Sequence, residues 1–131
     1  MAVLVGFVPS AQGEAAVSAA LEECLRRNEE LYVINTASGE SFIDPRFAQG
    51  EDMEHVRAMA AARGVEVKVL QPVRGREPHE EILDALEQWP VSVLVIGLRK
   101  RSPVGKLLMG STAQRLLMES PVPVLAVKPT H

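Results

Sequence analysis

Short apolar runs alternate with longer amphipathic stretches from one end of the chain to the other. The runs are Val3–Val8, Leu31–Asn35, Val65–Leu70, Val91–Gly97 and Val122–Lys128. Each is five to seven residues long and rich in Val, Ile or Leu, a length and branching that suit strands. Between them the period changes to that of a helix. Val17, Ala20, Leu21, Cys24 and Leu25 recur at i, i+3, i+4, i+7 and i+8 and share one face, behind Ser10 as a cap and Glu14 near the positive end. A second helix is expected over Asp52–Arg63, with Met53, Val56 and Ala60 inward and Gly64 as its stop. A third begins near Pro78, whose fixed φ suits a first helical position, and buries Ile82, Ala85, Leu86 and Trp89. A fourth runs from about Ser111 to Glu119 with Ala113, Leu116 and Leu117 on its apolar side.

Five strands alternating with four helices give an α/β fold: a single open, mostly parallel five-stranded sheet with helices on both faces and right-handed crossovers. Residues 1–131 are read as one domain, a length that buries roughly 65–70% of the unfolded surface. Val65-Glu66-Val67-Lys68-Val69 alternates apolar and charged, so that strand has a wet face and belongs at an edge. The last strand carries Pro121 and Pro123, which are tolerated chiefly on edges, and leaves Val124–Val127 apolar and unprotected. A homodimer through Val122–Lys128 is the expected cover. The polar segment Thr36–Glu51 exceeds an ordinary connection and reads as mobile or as a lid, with Asp44 able to reach a bound ligand.

Composition narrows the partners. The net charge is −3, so the broad phosphate neutralisation of a general nucleic-acid binder is not expected. No apolar run is long enough to span a membrane, and Ala2–Val8 lacks the basic flank and length of a signal peptide. The single cysteine, Cys24, makes no internal disulfide and builds no zinc site alone, which points to a reducing cytoplasm. Aromatics are only 4%, so the core must be aliphatic.

Candidate chemistry concentrates after the fourth run, in Gly97–Thr112, at the carboxyl end of a buried strand where open α/β sheets place ligands. Gly97, Gly105 and Gly110 let backbone N–H groups approach a phosphate. Arg99, Lys100, Arg101 and Lys106 supply charge, and Ser111 and Thr112 offer hydroxyls at a helix start. The pattern GxxxxGK[ST] does not occur, so this is no Walker loop. The physical reading is an anion or nucleotide-phosphate site; a solvated basic turn followed by a capped helix is the plain alternative.

Gly97-x2-Lys100-x9-Gly110-Ser111 resembles the Gly-x2-Gly-x9-Gly-Ser/Thr nucleotide signature of the universal stress protein family. Gly75-x2-Pro78 and the closing Pro121-x-Pro-Val-Leu-Ala-Val-Lys128 are also similar to that family, so the resemblance covers essentially the whole chain. It implies a Rossmann-like sheet, of the adenine nucleotide alpha hydrolase type, in the order 3-2-1-4-5. It also implies dimerisation through the last strands and ATP or a related adenine nucleotide in the crevice between the first and fourth strands. Val33 matches an adenine-contact position. Two positions depart from the pattern: Val8-Pro9-Ser10 stands where nucleotide-binding members resemble one another in Asp-x-Ser, and Lys100 replaces the second glycine. Lys100 either crowds the phosphate path or lends it a point charge. A dimeric protein-interaction module without nucleotide is therefore the alternative function. A slow ATPase is disfavoured, because the carboxylate that would hold metal or orient water is replaced by Val8.

The other candidates are weaker. His55 and His79 read as exposed helix residues, His131 as a terminal one, and Cys24 as packing on an apolar stripe. Glu22, Glu23, Glu29 and Glu30 read as a solvated surface, and nothing specifies a catalytic constellation.

Overall fold

A computed structural model describes residues 1–36, 50–72, 76–101 and 106–129, with backbone alone at residues 100, 101 and 106–108. Along the chain run β1 (Ala2–Gly6), α1 (Ala11–Arg27), β2 (Glu30–Ile34), α2 (Gly50–Ala62), β3 (Val67–Leu70), α3 (Pro78–Gln88), β4 (Val91–Gly97), β5 (Arg99–Arg101), β6 (Lys106–Leu108), α4 (Ser111–Glu119) and β7 (Val124–Val127). Five of the strands form one sheet in the order β3-β2-β1-β4-β7, every neighbouring pair parallel. With β7 as the fifth strand of that sheet, this is the expected 3-2-1-4-5. The two edges fall on β3 and β7.

Side-chain alternation along the strands divides the interior into two layers. Val3, Val5 and Phe7 of the first strand and its exit meet Leu31, Val33, Val93 and Val95 beneath α1 and α2. On the opposite face Leu4, Ile34, Leu94 and Ile96 pack with Ile82, Ala85 and Leu86 of α3 and Leu116 of α4. The α1 stripe behaves as its spacing requires from Val17 to Cys24, all at most 1% exposed. Ser10 caps this helix by accepting the Gly13 N–H at 3.1 Å. Asn28 closes it in the left-handed region at φ 56°, where asparagine is among the few tolerated side chains. Gly64, at φ 68°, ends the turn after α2.

Several expectations are corrected. Leu25 is 54% exposed and Leu117 39% exposed, because both lie toward the side of their helices that the sheet does not cover. Trp89 caps α3 rather than continuing it and stands edge-on to Tyr32 at 5.9 Å. His79 is half-buried, not exposed, on a helix start whose Pro78 is itself buried. Val8 and Asn35 lie beyond β1 and β2, and Val65 and Glu66 precede β3. The last strand begins after Pro123, so neither proline is asked to donate to a ladder. The hairpin of β5 and β6, antiparallel with Arg99 opposite Leu108, was not foreseen.

Candidate functional site

Three helices begin around the carboxyl ends of β1 and β4 and enclose a cleft of about 460 Å³. Phe7, Val8, Pro9 and Ser10 lead from β1 into α1, and Gln12 and Gly13 continue that wall. Pro78 and Ile82 of α3 form a second side, and Gly110, Ser111, Thr112, Ala113 and Leu116 of α4 a third. Ile34, Thr36, Ile96, Gly97, Leu98 and Arg99 complete it. Its walls are mainly aliphatic, whereas the starts of α1 and α4 bring partial positive charge and backbone donors to its rim.

Two glycines make the cleft possible by packing. A Cβ on Gly97 would lie 2.4 Å from the backbone oxygen of Gln12, so only glycine lets the start of α1 rest on the end of β4. Gly13 is tighter still: its Cβ would meet the Val8 oxygen at 1.8 Å. Gly110 is different, with its nearest neighbour, Arg99 Nη2, at 3.7 Å from a built Cβ. Gly110 also serves as the N-cap of α4, with no side chain of its own to satisfy the first N–H groups.

Of the residues proposed from sequence, Gly97, Gly110, Ser111, Thr112, Val8 and Pro9 line this cleft together. Val33 does not. It is fully buried in the layer under α1 and α2, because alternation along β2 turns it away and presents Ile34 instead. Gly105, Gly75, Asp44, His131 and most of the Thr36–Glu51 segment fall outside the described residues, as do the side chains of Lys100, Arg101 and Lys106. His55 is exposed, with Nε2 2.6 Å from Glu14 Oε1. Burial and the nearby Glu29 and Glu23 carboxylates push the Cys24 thiol up to about 12, which favours the neutral thiol packed in the core.

Sequence reasoning missed two buried polar groups. Asn35 is fully buried, donates to the Phe7 carbonyl at 2.8 Å and accepts from Gln71 at 3.1 Å, tying together the exits of β1, β2 and β3. Glu81 is 3% exposed and faces Arg76, which also binds Asp84 at 2.6 Å; the hydrogen bond that the guanidinium donates to Asp84 raises the Arg76 pKa above its usual value. The only cue was a polar residue in an apolar setting: Asn35 closes the second apolar run, and Glu81 precedes Ile82 on the inward face.

Comparison with known proteins agrees with this geometry. The model of the universal stress protein family matches residues 1–128. A universal stress protein of Mycolicibacterium smegmatis is 46% identical over 127 residues, 97% of each chain. The solved structure of a universal stress protein from Archaeoglobus fulgidus superposes with a TM-score of 0.84 at 30% identity, covering 98% of both chains. A universal stress protein from the same organism, solved in complex with dAMP, shares the fold at a TM-score of 0.74 and 24% identity over 98% of each chain.

Proposed function

This chain belongs to the universal stress protein family, and on that premise we propose that it is a regulatory module of the stress response that binds an adenine nucleotide in the cleft between β1 and β4. ATP or a related adenine nucleotide is the ligand, and residues 1–131 act as one domain. The observation that carries the reading is the coincidence of the glycine-serine signature with the cavity. Gly110, Ser111 and Thr112 follow Gly97 by thirteen to fifteen positions, yet all four line one cleft at the carboxyl end of the sheet. The aliphatic walls suit a base and ribose, and the helix starts suit phosphate. The dAMP complex of a relative with this fold supports the same ligand class.

Binding rather than catalysis is the role we assign, in the cytoplasm; no described helix is long and apolar enough to cross a membrane. A homodimer through β7 fits the exposed apolar groups there: Leu125 is 38% exposed on the edge strand itself, and Met118 of α4 is 84% exposed. A second reading, a dimeric protein-interaction module without nucleotide, is favoured by Val8, which puts an aliphatic side chain on the cleft wall where nucleotide-binding relatives resemble one another in an aspartate. Native mass spectrometry of the protein as purified from cells, followed by denaturation and identification of any released molecule, separates the two. An adenine nucleotide on a dimer supports the first. An empty dimer that also ignores added ATP refutes it in favour of the second.

A further inference from the structure

We infer that Arg99 is the counter-ion of the ligand's phosphate and sets the cleft's preference for a phosphorylated over an unphosphorylated adenine ligand, an inference that rests on the nucleotide reading above. Arg99 is the one charged side chain among the described lining residues. It opens β5 directly after Leu98, which is 8% exposed and anchors the backbone there, so an exposed guanidinium leaves the rim of the cleft from an ordered strand. Its Nη2 lies 3.7 Å from a Cβ built on Gly110, which places it at the start of α4 beside Ser111 and Thr112.

Five described arginines are neutralised by carboxylates: Arg26 and Arg27 pair with Glu23, Arg57 with Glu54, Arg76 with Asp84 and Arg115 with Glu119. Arg63, just past the end of α2 and away from the cleft, has no such pair among the described residues. Arg99 pairs with no carboxylate among the described residues. An unneutralised guanidinium, two hydroxyls and the uncapped first turn of α4 therefore converge on one end of an otherwise aliphatic cleft. A guanidinium presents a planar fork of donors that matches phosphate bidentately, which a lysine cannot reproduce. A base and ribose would occupy the aliphatic part without needing Arg99, so its effect falls on the phosphate alone.

The test is isothermal titration of AMP and of adenosine into the wild type, Arg99→Gln and Arg99→Lys, at two salt concentrations, with urea midpoints confirming that all three chains fold. The wild type is expected to prefer AMP over adenosine by about ten- to a hundred-fold. Arg99→Gln is expected to collapse that ratio toward one and to flatten the salt dependence of AMP binding, and Arg99→Lys to fall between. A wild-type ratio near one, or a ratio that survives Arg99→Gln, overturns the assignment while leaving adenine binding in place. A wild type that binds neither ligand overturns the nucleotide reading itself, and the role of Arg99 with it.

Discussion

Replacing Gly13 with alanine separates two opposing effects whose sum has a definite sign. In the interior of an exposed helix, glycine to alanine stabilises by about 1 kcal/mol through backbone entropy. At Gly13 the new Cβ would sit 1.8 Å from the Val8 carbonyl oxygen, about 1.6 Å short of the 3.4 Å at which ordinary contact begins. The carbonyl carbon at 2.9 Å and Phe7 Cδ1 at 3.1 Å close the remaining space. The obstacle is backbone, so α1 must retreat from the turn, and that overpacking costs roughly 1–3 kcal/mol or more. Retreat also pulls the Gly13 N–H from Ser10 Oγ, 3.1 Å away, a cap worth about 1 kcal/mol. The net expectation is a loss of about 1–3 kcal/mol, read as a fall of roughly 0.5–1.5 M in the urea midpoint at a slope near 2 kcal/mol/M. Gly50→Ala is the control: nothing lies within 4 Å of its Cβ, so the entropy term acts alone and the midpoint holds or rises. A Gly13→Ala chain as stable as the wild type would refute the close approach of β1's exit to α1, and with it the shape of the cleft wall.

Three further outcomes follow from the same geometry. Leu125→Lys places charge on the exposed edge of β7 and is expected to give monomer in native mass spectrometry or sedimentation; an unchanged dimer mass would put the interface elsewhere. The raised Cys24 pKa means the folded chain favours the neutral thiol. Its contribution is complete below the unfolded thiol's ordinary value of 9.0 and is lost as pH climbs toward the folded value of about 12. Urea midpoints of wild type and Cys24→Ala should therefore converge between about pH 9 and 12, and a constant difference would contradict the burial of the thiol. Truncating the exposed His55–Glu14 pair with His55→Ala should shift stability by less than about 1 kcal/mol, and a larger change would mean the contact between α1 and α2 depends on it.

The fold was legible because its signals are repeated and mutually consistent. Five Val/Ile/Leu runs, each followed by a changed period, leave little choice beyond a parallel sheet with alternating helices, and the charged alternation at Glu66 and Lys68 marked one edge. The hairpin of β5 and β6 was not legible, since three-residue strands reading Arg-Lys-Arg and Lys-Leu-Leu carry no apolar period. Leu25 and Leu117 satisfy helical spacing but stand where the sheet ends, and spacing alone does not report the width of the surface beneath a helix. At the cleft, Gly97, Gly110, Ser111 and Thr112 of the signature are among the lining residues, whereas Val33 is not; Val33 and Ile34 differ only by strand parity, which a one-residue boundary decides. Gly13 looked like any helical glycine. Only the return of β1's exit against α1 shows why no other residue fits there.

The central claim, an adenine nucleotide seated against the start of α4, is tested most directly by titrating ATP into the wild type and Gly110→Val side by side. A Cβ at Gly110 meets nothing closer than 3.7 Å and the backbone there is extended at φ −73°, so the variant should fold, while its methyl groups fill the phosphate approach. Saturable binding by the wild type and none by the variant is the result expected, with urea transitions showing that both chains fold even if the poorer N-cap costs the variant about 1 kcal/mol of stability. Equal affinity in the two chains, or no binding by either, would contradict it.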